Sequence, residues 1–233
     1  MSFLQHLGSV FDLGLALALL VRVLAALICL TVHELCHGLA ARWLGDPTAE
    51  DMGRLSLNPL HHIDLFGLVL LLTAGFGWAK PVPVNPGYFK NPKRGMAITA
   101  LAGPASNFVM AVLSAGVLQG MYRAELWQSQ AGTWAMAFAA ALLWLNLGLG
   151  IFNLFPIPPL DGSKVFFSLF PDRIYFWVLR HERYIMLALF LLVFFGVLDG
   201  PLNALLQLAL SGICRLTGLP VEVFWTLIVG LYA

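Results

Sequence analysis

The chain has 233 residues, of which 60% are hydrophobic and only 11% are charged. Soluble domains carry about 25% charged residues, so this composition and a mean hydropathy of +0.84 exclude an ordinary soluble domain and indicate a protein embedded in a bilayer. The net charge of +1 gives no basis for binding nucleic acid.

The first predicted element is a long helix from Phe11 to Leu44. At about 1.5 Å rise per residue it is longer than a bilayer requires. Its residues Leu13–Leu30 are apolar except for Arg22. A Gly-Asp-Pro sequence at residues 45–47 ends the helix, because glycine favours helix termination and proline cannot continue the helix.

A short apolar segment, Leu65–Ala79, follows a polar connector and is interrupted by glycines. It is too short for a confident crossing. We predict a re-entrant or short extended segment, since irregular backbone is tolerated at membrane depth where it is buried in protein or lines a cavity. The proline-rich stretch Lys80–Arg94 predicts an extended loop.

Three later apolar stretches, Met96–Leu118, Thr133–Phe155 and Tyr184–Leu198, predict further spanning helices. The final stretches, Leu202–Leu216 and Val221–Tyr232, are predicted to form either one more crossing or interfacial helices. The predicted fold is therefore an all-α polytopic membrane protein with about four to six transmembrane helices and one re-entrant or short extended segment.

Basic residues are concentrated on one predicted side of the membrane. The opposite loop, residues 121–132, contains only Arg123. By the positive-inside rule the richer side is cytoplasmic. Its members are Arg42, Arg54, Lys80, Lys90, Lys93, Arg94, Lys164, Arg173, Arg180 and Arg183.

The first helix contains an H-E-x-x-H motif from His33 to His37. Residues four apart share one helix face, so both imidazoles can reach one metal ion. Glu34 lies beside the first histidine, where it can act on a water molecule. Three polar groups inside an apolar helix are costly. The motif therefore favours a zinc hydrolase site over two unrelated core histidines.

A catalytic zinc site usually has three protein ligands and one open position. Asp161 is the candidate third ligand, because Pro156, Pro158 and Pro159 break the preceding helix. A carboxylate in apolar surroundings is costly unless it is paired or binds metal. The alternative is an ordinary loop aspartate at the membrane surface.

Three other polar residues are candidates with two interpretations each. Asn107 is expected either to donate a hydrogen bond to a developing oxyanion or to form a hydrogen bond between helices. Asn153 is expected either to hold an extended substrate backbone or to cap the broken helix. His62 is expected either to donate a hydrogen bond to a metal ligand or to be a solvated loop histidine.

Five motifs occur in a fixed order along the chain. They are HELCHG from His33, GRLSLNPLHHID from Gly53, FGWAKPVPVNP from Phe76, LAGPASN from Leu101 and NLFPIPPLDG from Asn153. This order resembles the site-2 protease family of intramembrane zinc metalloproteases in its compact form, over roughly Thr31–Ser168.

The resemblance implies a zinc metalloendopeptidase that hydrolyses a peptide bond in or near the transmembrane helix of a membrane-protein substrate. It implies one zinc per chain, held by His33, His37 and Asp161, with Glu34 as the general base. The chain is then a single domain with a catalytic core over about residues 12–168 and C-terminal helices over residues 174–233. The substrate helix must unwind, and the segment Lys80–Pro86 is predicted to pair with it as an added strand.

The expected partners are a transmembrane protein substrate and the lipid bilayer. The expected location is a prokaryotic inner (plasma) membrane, with the site toward the cytoplasm. A G-x-x-x-G spacing at Gly116 and Gly120 allows a homo-oligomer. Two alternative functions are a catalytically inactive membrane scaffold and a metal-dependent transporter, although a transporter would more typically spread ionisable groups through several spans.

Overall fold

The computed structural model describes residues 13–64, 67 and 79–232, and these contain nine α-helices. The helices are α1 Leu13–Trp43, α2 Thr48–Asp51, α3 Pro92–Arg123, α4 Gln130–Asn153, α5 Asp161–Phe167, α6 Asp172–Arg180, α7 Glu182–Phe194, α8 Asp199–Thr217 and α9 Val221–Tyr232. Short 3-10 turns lie at Pro59–His61, Pro86–Tyr88 and Leu126–Gln128. The predicted helix start at Phe11 and nearly all of the predicted re-entrant segment Leu65–Ala79 lie outside the described residues.

The long first helix, α1, ends where its sequence predicts. Gly45 adopts a φ of +103°, a conformation that glycine tolerates best. The next residue, Asp46, is fully buried, and its carboxylate accepts hydrogen bonds from the backbone N–H groups of Thr48 (3.0 Å) and Asn85 (2.7 Å). Asp46 therefore ties the extended loop before α3 to the end of α1.

The extended loop is also fixed by the polar connector after α2. Ile63 and Ala79 form an isolated antiparallel bridge, and the Lys80 N–H donates to the His62 carbonyl at 2.9 Å. Arg54 is buried and its Nη2 donates to the Lys80 carbonyl at 2.9 Å. These bonds hold residues 80–85 beside α1 as non-helical backbone.

Helices α3 and α4 begin at conventional caps. The Asn91 side chain accepts from the Arg94 N–H, with Pro92 at the first helical position, and the Ser129 side chain accepts from the Gly132 N–H. Both are standard N-terminal signals. The α4 helix ends at Asn153, just before the prolines that were expected to break it.

The core of the molecule lies between α3 and α4, with α1 against both. Small buried residues on the facing surfaces of α3 and α4 let their backbones approach closely; they are Ala111, Ala115, Ala139 and Ala140. Larger side chains, including Leu118, Leu143 and Phe224, fill the remaining space toward the C-terminal helices. This packing gives the candidate site a rigid frame.

Three of the described helices, α1, α3 and α4, are long and apolar enough to cross a membrane. Helices α7 and α8 meet at a 78° bend and supply a fourth candidate crossing if they form one broken span. The predicted span Tyr184–Leu198 corresponds largely to α7, whose 13 residues are too few to cross alone. The all-α polytopic membrane class is confirmed, with three or four crossings in the described part of the chain.

Candidate metal centre

Three predicted site residues converge at the end of α1 nearest the extended loop. His33 and His37 lie one turn apart on α1, and their Nε2 atoms are 3.0 Å apart. Asp161, the first residue of α5, places its Oδ2 atom 3.2 Å from His33 Nε2 and 3.1 Å from His37 Nε2. All three side chains are buried.

Both imidazoles carry their proton on the nitrogen that points away from this convergence. His33 Nδ1 lies 2.6 Å from Asn107 Oδ1, and His37 Nδ1 lies 2.7 Å from the Thr99 carbonyl oxygen. A carbonyl oxygen only accepts, so each Nδ1 must donate. Each Nε2 of the neutral ring therefore presents a lone pair, which is the form that binds a metal.

The converging atoms fit a metal ion. Two imidazole lone pairs and one carboxylate oxygen lie 3.0–3.2 Å from one another, an arrangement that is repulsive without a cation between them. A tetrahedral zinc ion with bonds of about 2.0–2.1 Å separates its ligand atoms by about 3.3 Å. The described residues contain this one cluster of three potential metal ligands, and its donor set is typical of catalytic zinc.

Local backbone structure brings Asp161 into the cluster. The chain turns between α4 and α5, and a Cβ at Gly162 would overlap the Leu154 carbonyl group, so the turn requires glycine at this position. Lys164 Nζ lies 3.6 Å from Asp161 Oδ1.

Close approach of α3 to α1 depends on Gly103. A Cβ at this position would come within 2.7 Å of His33 Cε1 and would lie closer still to the ring of His37. The helix that carries Asn107 therefore packs directly on both imidazoles, and only glycine leaves room for them.

Glu34 is half-buried and faces a cavity of about 450 Å³ that also contains the three converging residues. Its Oε2 atom accepts a hydrogen bond of 2.8 Å from the Val82 N–H, so the extended loop orients the carboxylate. The cavity walls combine apolar and polar side chains, among them Leu30, Met96, Leu149, Phe152, Asn153 and Lys164. Apolar walls with a few converging polar groups are typical of a ligand-binding site.

The remaining predicted residues lie in three different places. Asn107 is fully buried behind His33 and bonds it directly, with Nδ2 donating to Asn146 Oδ1 at 2.8 Å. Asn153 lines the cavity, and its Nδ2 donates to the Leu149 carbonyl at 3.1 Å. His62 is buried and bonds the Ser56 carbonyl at 2.8 Å; it is not among the described residues that line the cavity.

Sequence reasoning assigned no role to two groups that fix the histidines, one through Asn107 and one directly. Asn146 is a polar side chain inside an otherwise apolar span, a signal that could have marked it. The Thr99 carbonyl gave no signal, because any residue carries the same backbone oxygen.

Comparison with known proteins supplies the family. The model of Peptidase family M50 matches residues 120–196. Two similar proteins carry the name "Putative zinc metalloprotease". The first, YwhC of Bacillus subtilis, is 39% identical over 163 residues, which cover 70% of this chain and 74% of YwhC. Rip2 of Mycolicibacterium smegmatis is 37% identical over 145 residues, which cover 58% of this chain and 52% of Rip2.

The chain thus spans about half the length of Rip2 and most of YwhC. No solved structure gives a significant match. The identity to YwhC over most of both chains, together with the family match, shows that this integral membrane protein belongs to peptidase family M50, the site-2 protease family.

Proposed function

We propose that this protein is an intramembrane zinc endopeptidase that hydrolyses a peptide bond in or near the transmembrane helix of another membrane protein. One observation carries the proposal: His33, His37 and Asp161 aim three electron pairs at one point inside an apolar helical frame. Glu34 lies in the same cavity. Family membership supports metalloprotease chemistry.

His33, His37 and Asp161 would hold one zinc ion, whose Lewis acidity makes water nucleophilic near neutral pH and polarises a peptide carbonyl. Glu34 accepts a proton from the attacking water as the oxygen bonds to the peptide carbon. It then returns that proton to the peptide nitrogen as the carbon–nitrogen bond breaks, giving a carboxylic acid and an amine. The Val82 N–H holds Glu34 Oε2 and leaves the second carboxylate oxygen for this transfer.

The substrate must be extended where it is cut, because a helix hides its carbonyl groups in hydrogen bonds. The non-helical segment at residues 80–85 lies beside Glu34 and offers a backbone along which an unwound substrate adds as a strand. Asn153 lines the same cavity and would bind the substrate backbone in this proposal. Unchanged cleavage after disruption of residues 80–85 would contradict this part of the proposal.

The proposed orientation places the site toward the cytoplasm of a prokaryotic inner membrane. The positive-inside rule supports it, since the ends of α1 and α4 next to the site adjoin the segments that are rich in Lys and Arg. At the opposite end of the helices, residues 121–132 contain Arg123 as their single basic residue. The proposed partners are a transmembrane substrate and the bilayer itself.

Substitution of the general base tests the proposal. Zinc content and cleavage of a fluorescent transmembrane peptide are measured on detergent-purified wild type and on Glu34→Gln. We expect about one zinc in both proteins and a fall in cleavage of at least about 100-fold in the variant, the lower end of general acid–base contributions. Glu50→Gln is the matched control, because Glu50 pairs with Arg42 at 2.8 Å on the surface and its loss should change neither quantity.

The alternative functions give different results. A scaffold binds the peptide in the same assay without cutting it in either protein. A transporter also leaves the peptide uncut, and it moves zinc into vesicles when the purified protein is reconstituted into proteoliposomes. Equal cleavage by wild type and Glu34→Gln would overturn the assignment of Glu34 as the base.

A further inference from the structure

We infer that Asn146 is a positioning residue for the metal centre, acting through Asn107 to fix which nitrogen of His33 carries the proton. This inference rests on the proposed function, because it concerns the affinity of His33 for zinc. Asn146 lies in the middle of α4 and does not touch His33. Its influence runs through a relay of hydrogen bonds across three helices, from the Leu142 carbonyl through Asn146 and Asn107 to His33.

The hydrogen-bond relay starts at a backbone carbonyl of α4. The Leu142 oxygen accepts a hydrogen bond of 2.8 Å from Asn146 Nδ2. Asn146 Oδ1 accepts at 2.8 Å from Asn107 Nδ2 on α3, and Asn107 Oδ1 lies 2.6 Å from His33 Nδ1 on α1. Asn107 and Asn146 are both 0% exposed, so water cannot replace any of these bonds.

The direction of every bond follows from the first one. A carbonyl oxygen only accepts, so the group of Asn146 that faces Leu142 must be the NH2. The Asn146 oxygen then faces α3 and demands a donor, which fixes the Asn107 amide with its own oxygen toward His33. His33 Nδ1 must donate to that oxygen, and the lone pair of Nε2 is left for the metal.

A rotated Asn107 amide would reverse this outcome. Rotation exchanges oxygen for NH2, so that Nδ2 would face His33 Nδ1 and require it to accept. The imidazole proton would move to Nε2, which points at His37 and Asp161. A proton there occupies the position of the metal. Asn146 prevents this rotation, since its oxygen would then face the Asn107 oxygen without a donor between them.

His37 needs no comparable device. Its Nδ1 bonds the Thr99 carbonyl, whose orientation is fixed by the α3 backbone. Only the histidine that is oriented by a rotatable amide requires a second residue to set that amide.

The test uses the symmetry of a carboxylate. Asn107→Asp presents an oxygen to His33 however the group rotates, so Asn146 should then be dispensable. Zinc affinity and thermal unfolding are measured on the detergent-purified full chain for wild type, Asn146→Leu, Asn107→Asp and the double variant. We expect Asn146→Leu to weaken zinc binding about 10–100-fold, the range typical of residues that orient metal ligands. The double variant should bind zinc within about two-fold of Asn107→Asp.

Asn153→Leu serves as the matched control for zinc affinity. Asn153 lies two turns further along α4 and makes the same type of bond, from Nδ2 to the carbonyl four residues earlier, but bonds neither Asn107 nor His33. Its substitution should leave zinc affinity within about two-fold, whatever it does to substrate binding.

Each outcome supports or contradicts the inference. Equal losses of zinc affinity from Asn146→Leu in the wild-type and Asn107→Asp backgrounds would show that Asn146 acts only through packing. Failure of both Asn146 variants to fold would lead to the same conclusion, whereas a folded, zinc-binding double variant beside an unfolded Asn146→Leu protein supports the relay. If wild type itself binds no zinc, the proposed function fails and the relay fails with it. Zinc in wild type with no effect of Asn146→Leu overturns the relay alone.

Discussion

The two sides of the metal cluster, one around His33 and one around His37 and Glu34, are built in different ways. On the His33 side, the imidazole is held by the side chain of Asn107, which is held in turn by the side chain of Asn146. On the His37 side, the imidazole is held by the Thr99 backbone carbonyl, and Glu34 is held by the Val82 backbone N–H. Side chains orient one part of the site and the backbone orients the other.

This difference decides which substitutions can damage the site. A side-chain hydrogen bond disappears with one substitution, and its buried partner is left unpaired. A backbone group persists in nearly every variant, so the His37 side can be altered only through its own functional side chains or by moving a helix. Substitutions of Asp161, Gly103 and Thr99 test this distinction, in order of decreasing expected effect.

Removal of the Asp161 carboxylate should have the largest effect. Asp161→Ala removes one of three converging electron pairs, so we expect zinc affinity to fall by more than the roughly 100-fold seen for residues that merely orient ligands, and cleavage to be lost with it. Zinc titration and the peptide assay measure both effects.

Asp172→Ala is the control for removal of a carboxylate. Asp172 pairs with Lys93 at 3.1 Å and its side chain is 77% exposed, so its contribution should be small. Full zinc binding by Asp161→Ala would contradict the assignment of Asp161 as the third ligand, and the proposed three-ligand site would be wrong.

Much of the fold was predictable because its signals are local in the sequence. The apolar length of α1, the Gly45 stop and the proline break after Asn153 each act within a few residues. Composition separated the apolar stretches Tyr184–Leu198 and Leu202–Leu216, but it did not predict the helix break at residues 195–198 or the 78° bend between α7 and α8, because those four residues are apolar apart from Gly196. Apolar composition carries no information about the angle between two successive helices.

The candidate site was predictable to the extent that it consists of polar side chains in apolar segments. His33, Glu34, His37 and Asp161 stand out for that reason, and the structure brings them into one cavity. The direction of Asn107 could not be inferred, because its partner Asn146 lies 39 residues away and only packing places them together. Backbone partners such as the Thr99 carbonyl leave no trace in the residue types.

The second substitution, Gly103→Ala, should move a helix and leave every metal ligand present. Gly103→Ala places a methyl group against both imidazoles, so α3 or the histidines must shift. We expect a loss of about 1–3 kcal/mol in the free energy of unfolding, as is typical of an overfilled core, and a fall in zinc affinity of about ten-fold or more. Thermal unfolding with and without zinc measures both quantities.

Gly116→Ala provides the control on the same helix. A Cβ at Gly116 meets no atom within 4 Å, so the variant should bind zinc as wild type does and gain up to about 1 kcal/mol from the higher helix propensity of alanine. If both glycine variants behaved alike, helix propensity rather than contact with the imidazoles would explain the result.

Thr99→Val should have the smallest effect, and it tests most directly whether the backbone rather than a side chain orients His37. Thr99 bonds His37 through its backbone carbonyl oxygen, and its buried Oγ1 has no hydrogen-bond partner among the described residues. Thr99→Val therefore keeps the bond to His37 and replaces an unsatisfied hydroxyl with a methyl group. Zinc affinity should stay within about two-fold of wild type, and the free energy of unfolding should be unchanged or higher by about 1 kcal/mol. Asn107→Leu, which removes the acceptor of His33, should weaken zinc binding about 10–100-fold in the same titration. Equal losses in the two variants would mean that both histidines depend on side-chain chemistry, and the distinction between the His33 side and the His37 side would be wrong.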